Sequence, residues 1–107
     1  MSTPEHELTR SEEIFSRSVR RGISDARVSQ SAMAGYLGVA PGQFSQRMNG
    51  LVKWTLRDMH NISTALGVSL LDMLNEDDTS WLNRIEPGAV KARLDAAARS
   101  KIRDTVQ

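Results

Sequence analysis

SQSAMAGYLGVAPGQFSQRMNG, residues 29–50, reads as two short helical segments broken at Leu37-Gly38-Val39. A chain that leaves one helix at a sharp angle needs a residue that tolerates positive φ without a Cβ clash, and Gly38 supplies it. Ala34, four residues before the corner, is small enough for two helix backbones to approach closely. Met33, Leu37, Val39 and Phe44 are spaced to bury a common face. Pro41 opens the second segment, because its missing N–H would have no intrahelical partner in the first turn. Asn49-Gly50 closes it through a left-handed cap.

The same grammar extends outward in both directions. Thr9 with Glu12 has capping-box spacing and opens a helix that presents Phe15, Val19 and Ile23 on one stripe. Thr55 and Asp58 repeat the spacing before Leu56, Met59, Ile62, Ser63 and Leu66, and that helix ends at Gly67. Ser69 and Asp72 open a fifth helix with Leu70, Leu71 and Leu74 to bury. Residues 75–79 are acidic and read as a loop. Beyond 80–86, Pro87 opens a last helix to about residue 105, with Val90, Leu94, Ala97, Ala98, Ile102 and Val106 as a narrow apolar stripe on a charged rod. Such a helix either folds back onto the domain or pairs with its twin in a dimer, and Trp81, Leu82 and Ile85 suit either contact. Met33, Leu37, Val39, Phe44, Leu56, Ile62 and Leu66 are the expected core, with Trp54 packed at the start of the fourth helix.

The ordered set Ser29-Gln30, Ala34, Leu37-Gly38-Val39, Pro41 to Met48, Asn49-Gly50 and Ala65-Leu66-Gly67-Val68 resembles the lambda-repressor-like (Cro and XRE type) DNA-binding domains of phage and bacterial regulators. The resemblance covers roughly residues 11–75. It implies an all-α fold, a five-helix domain with a helix-turn-helix over 9–75; the tail over 1–8 and the amphipathic C-terminal helical extension over 76–107, a candidate dimerisation element, lie outside the resemblance and are read from the residues themselves. It also implies a sequence-specific transcriptional regulator, a repressor that places the helix from Pro41 to Met48 in the major groove of a double-stranded operator. The family's base-reading places fall on Ala40, Pro41, Gly42 and Gln46, and only the last carries a side chain able to hydrogen-bond a base. Gln46 is therefore the first candidate for direct readout, since a glutamine bonds adenine N6 and N7 together, and Gln43 is the second. Ser45 and Arg47 stand beside them as base or phosphate contacts. Gln30, at the start of the second helix, and Asn49, Lys53 and Thr55, after the third, are expected at phosphates. The chain departs from the family at Arg47, where an apolar residue is usual, and at Met48. With Met48 in the core position one turn after Phe44, Arg47 is expected to be freed towards DNA.

At 107 residues the chain supports one small domain with an appendage. Its net charge of +1 hides segregation. Residues 30–60 carry Arg47, Lys53 and Arg57 against Asp58; residues 61–87 carry Asp72, Glu76, Asp77, Asp78 and Glu86 against Arg84; the last stretch is basic again through Lys91, Arg93, Arg99, Lys101 and Arg103. That pattern suggests one face turned to phosphate and another turned away. No apolar run approaches the ~20 residues of a membrane span, and the polar, acidic start lacks the features of a secretory signal, so a cytoplasmic protein is expected. Without cysteine there is neither disulfide nor thiolate metal site, and no metal or other cofactor is expected. His6 and His60 are far apart and no glycine-rich phosphate loop is present, so the chain does not read as an enzyme. A single module of this size binds DNA weakly, which favours a homodimer on a two-fold operator. The alternative is an antitoxin-like protein, whose C-terminal helix engages a partner protein while the helix-turn-helix regulates its own operon.

Overall fold

The computed structural model describes residues 9–106, with side chains described as far as Ser100. The tail expected over 1–8 lies outside the described residues, as do the side chains of Lys101, Ile102, Arg103 and Val106. Among the described residues the chain is all helical: α1 Arg10–Ala26, α2 Gln30–Leu37, α3 Pro41–Met48, α4 Leu56–Leu66, α5 Leu70–Met73, a 3-10 turn Ser80–Arg84 and α6 Pro87–Val106. No helix among them is long and apolar enough to cross a membrane.

Helix starts follow the hydroxyl caps. Thr9 Oγ1 accepts from Glu12 N–H while Glu12 Oε1 accepts from Thr9 N–H, at 3.2 and 3.1 Å. Ser29 Oγ accepts from Ala32 N–H at 2.9 Å, and Ser69 and Asp72 complete a second reciprocal pair. Burial would raise the Asp72 carboxyl and is the largest single influence on it. The bonds from Ser69 and the nearby Arg84 together outweigh that and hold it below the ordinary carboxylate range. Asp78 is also lowered, first by accepting from Ser80 N–H, then by the Ser80 hydroxyl and least by the Arg84 charge. Thr55 Oγ1 accepts from Asp58 N–H at 3.0 Å, but the Asp58 carboxylate does not return the bond. It is drawn instead to Arg47.

Helix ends share a second device. At α1, α2 and α4 the residue after the helix is left-handed and the following valine N–H reaches back five residues, to Ile23, Ala34 and Ser63 carbonyls at 3.3, 3.0 and 3.0 Å. The left-handed residues are Arg27, Gly38 and Gly67, with φ of 59°, 77° and 76°. Val28, Val39 and Val68 all pack against the core. The end of α3 is built alike on Gly50, with Leu51 N–H bonded to the Gln46 carbonyl.

The buried cluster gathers Phe15, Val19 and Ile23 from α1, Met33 and Ala34 from α2, Phe44 and Met48 from α3, and Ile62, Ala65 and Leu66 from α4. Leu37 and Val39 border it, half-buried. Gly22 lets α1 lie against α4, because a Cβ there would stand 2.7 Å from Leu66 Cδ1, itself fully buried. Two expected core leucines are outside. Leu56 is 70% exposed and Leu71 79%. The buried arc of α4 centres on Ile62, Ala65 and Leu66, which leaves Leu56 at its edge in the first turn, and Trp54 fills the space below. In α5, Leu70, Met73 and Leu74 share one side of a single turn and Leu71 projects from the other.

The segment 76–107 contributes to the same cluster. Trp81, Ile85, Val90 and Leu94 are buried within it, and α6 lies against α1, α2 and α4. Arg93 Nη1 donates to the Ala65 carbonyl at 2.9 Å and covers Gly67, so a cation caps the carbonyl end of α4. Of the two fates open to the last helix, its first two turns take the fold-back.

Candidate nucleic-acid interface

The α2–α3 corner is clamped from below. Met33, Ala34 and Phe44 are completely buried, and Phe44 meets Trp54 edge-on, with ring centroids 5.7 Å apart. Trp54 also meets Phe15 edge-on at 5.4 Å, and its Nε1–H donates to Ser16 Oγ at 2.8 Å. One indole therefore joins α1, α3 and the entry to α4, which directs its N–H inward and away from any phosphate.

The opposite side of α3 faces solvent with Pro41, Gly42, Gln43 and Gln46. Among the described residues the Gln46 amide has no hydrogen-bond partner. Gln43 is exposed too, but its Oε1 accepts from Ala40 N–H at 3.1 Å, the returning half of a capping box, while the alanine in the cap position offers the Gln43 N–H no acceptor. Ser45 is half-buried and its Oγ receives a long bond of 3.4 Å from Asn49 Nδ2. Asn49 is exposed, yet its Oδ1 accepts from Arg20, whose guanidinium also reaches the Met48 carbonyl at 3.3 Å. Arg20 thus serves the carbonyl end of α3 from α1, a role that its position off the apolar stripe did not disclose.

Arg47 departs most from expectation. With Met48 seated in the core as anticipated, the Arg47 side chain is only 17% exposed. It lies 3.4 Å from Asp58, whose side chain is 12% exposed. The guanidinium is not freed towards solvent; it is spent on holding α3 to α4. Its Nε and Nη1 are buried without hydrogen bonds among the described residues. The capping-box spacing of Thr55 and Asp58 concealed this partnership, because the same carboxylate satisfied a local rule.

Gln30 is exposed at the first turn of α2, and Lys53 and Thr55 are exposed ahead of α4, with Arg57 one residue inside it. Leu51 and Val52, between α3 and α4, and Leu56, the first residue of α4, are exposed apolar side chains. With Arg47 and Asp58 cancelling each other, the exposed charges of residues 30–60 are Lys53 and Arg57, both positive. Among the described residues no group of three or more metal-ligating side chains converges. No family model, curated protein or solved structure matches the chain.

Proposed function

We propose that the protein is a sequence-specific DNA-binding regulator of the lambda-repressor-like (Cro and XRE) kind, a phage or bacterial repressor that inserts α3 into the major groove of its operator. The observation that carries this reading is the two-sidedness of α3. Phe44 and Met48 anchor one side in the core, while Gln43 and Gln46 stand side by side on the other, two exposed amides on a rigid eight-residue helix. Side-chain amides at that spacing match the donors and acceptors on base edges, and a helix of this diameter fits the major groove. Gln30 before it and Lys53 and Thr55 after it bracket the helix in sequence as phosphate contacts. The reading includes a homodimer, because a single module of this size has a small, largely electrostatic interface.

Selection of bound duplexes from random DNA at stated salt tests it. The expected outcome is an enriched two-fold motif. Gln46→Ala then loses about 1–3 kcal/mol and relaxes the choice at one position of each half-site, whereas Lys53→Ala weakens all sequences alike and lowers the salt slope. A library that returns no enriched motif overturns the proposal.

The partner-binding alternative has less to work with, since Val90 and Leu94, the first two residues of the apolar stripe on α6, are already buried within the chain.

A further inference from the structure

We infer that Gln43 acts as a donor-only reader, selecting a base whose major-groove edge offers acceptors, guanine first and thymine second, while Gln46 reads adenine. The inference rests on the reading of α3 as the base-contacting helix and adds the base class. It begins with the cap. The backbone N–H of Ala40, at the cap of α3, donates to Gln43 Oε1 at 3.1 Å, as a capping box requires of the third helical residue. An N–H can be met only by the oxygen of the amide, because the NH2 end would set donor against donor. The oxygen is therefore turned back to the helix start, and the two N–H groups of Nε2 are left for whatever approaches the exposed end of the helix.

The same position in α1 and α5 holds an acid, Glu12 and Asp72, each folded back on its cap. An acid is the stronger choice there, since negative charge favours a helix N-terminus. In α3 the place is taken by the neutral isostere, which keeps the cap and replaces an outward acceptor with donors. Guanine presents N7 and O6 as adjacent acceptors in the major groove and thymine presents O4, whereas cytosine offers the N4 donor and adenine pairs its N7 with an N6 donor. A fixed donor pair discriminates among these. Gln46, with oxygen and nitrogen both uncommitted among the described residues, can meet the acceptor and donor of adenine together.

The full-length chain, a Gln43→Met variant and a Gln43→Glu variant are each put through selection against random duplexes and then titrated against the four bases at the affected position. Thermal unfolding is recorded in parallel. Gln43→Met is expected to lose its preference at one position and to melt lower, because the cap is gone. Gln43→Glu keeps the cap and melts no lower than the parent. It binds all DNA more weakly, but its preference at that position moves from guanine or thymine to cytosine, a reversal of about tenfold or more between the two bases. A Gln43→Glu chain that retains the parent's base preference, or a parent that selects cytosine or adenine there, overturns the inference while leaving the DNA reading intact. A parent that enriches no sequence overturns both.

Discussion

At the scale of single residues, Arg47 and Asp58 show how one side chain can satisfy a local pattern and still be claimed by a distant partner. Thr55 and Asp58 have the spacing of a capping box, and half of the box forms. The carboxylate itself turns to Arg47 because a guanidinium 17% exposed needs an opposite charge more than the N–H of exposed Thr55 needs a side-chain acceptor. Removing one member of such a pair leaves the other charge buried without compensation. Asp58→Ala is expected to destabilise the fold by about 3 kcal/mol, the lower end for buried pairs because both groups keep some water contact. The double change Arg47→Met with Asp58→Leu should recover most of that loss, since apolar side chains of similar volume replace buried ion pairs at little cost. Chemical denaturation of the parent, the single and the double variant would check it, and a single variant as stable as the parent would show that the pair contributes nothing.

At the scale of the element, α1, α2 and α4 end in a left-handed residue followed by an inward valine, and only two of the three carry glycine there. Leu37-Gly38-Val39 and Leu66-Gly67-Val68 both carry glycine in the left-handed position, where it meets no Cβ penalty. α1 ends in Ala26-Arg27-Val28 with the same hydrogen bonds and the same inward valine, but Arg27 occupies the glycine position at φ 59°. An L-residue in that region costs roughly 1–2 kcal/mol, against which glycine forfeits about 0.5–1 kcal/mol of unfolded-chain entropy. Arg27→Gly is therefore expected to raise stability by up to about 1 kcal/mol, seen as a higher melting midpoint in differential scanning calorimetry. A lower midpoint would mean that the arginine makes a contribution beyond its backbone. The hydroxyl caps at Thr9, Ser29, Thr55 and Ser69 lay open in the sequence for the complementary reason: each is a contact between residues three apart, decided before any tertiary contact forms.

At the scale of the whole molecule, α6 divides into a part that belongs to the core and a part beyond it. Val90 and Leu94 are buried where α6 lies against α1, α2 and α4, and Arg93 caps α4. A chain cut after Glu86 loses two buried aliphatic side chains, each worth about 1.5–3 kcal/mol, and uncovers part of the core. It should melt far below the parent or fail to fold, so an association defect in it would be uninformative. A chain cut after Ser100 keeps every buried side chain described above. It is expected to retain its helical circular dichroism spectrum and to sediment as a monomer, while the full chain is expected, on the proposed homodimer, to sediment as a dimer. Equal association of the two forms would remove the end of α6 from the dimer contact.

The sequence by itself determined where helices begin and end, because caps, Pro41 and the two Leu-Gly-Val corners act over three or four residues, and it determined that Phe15, Val19, Met33, Phe44, Ile62 and Leu66 face inward, because helical period places them together. It also singled out Gln43 and Gln46 as amides on the free side of α3. Only the tertiary structure decided which neighbour each remaining side chain took. Leu56 and Leu71 lost their places to Trp54 and Met73, Arg47 was drawn from solvent to Asp58, Arg20 went to the end of α3, and the first half of α6 closed over the core. Each of those outcomes depends on which side chains from other elements arrive at the same place, where competition for one buried volume or one countercharge is settled by packing and not by spacing.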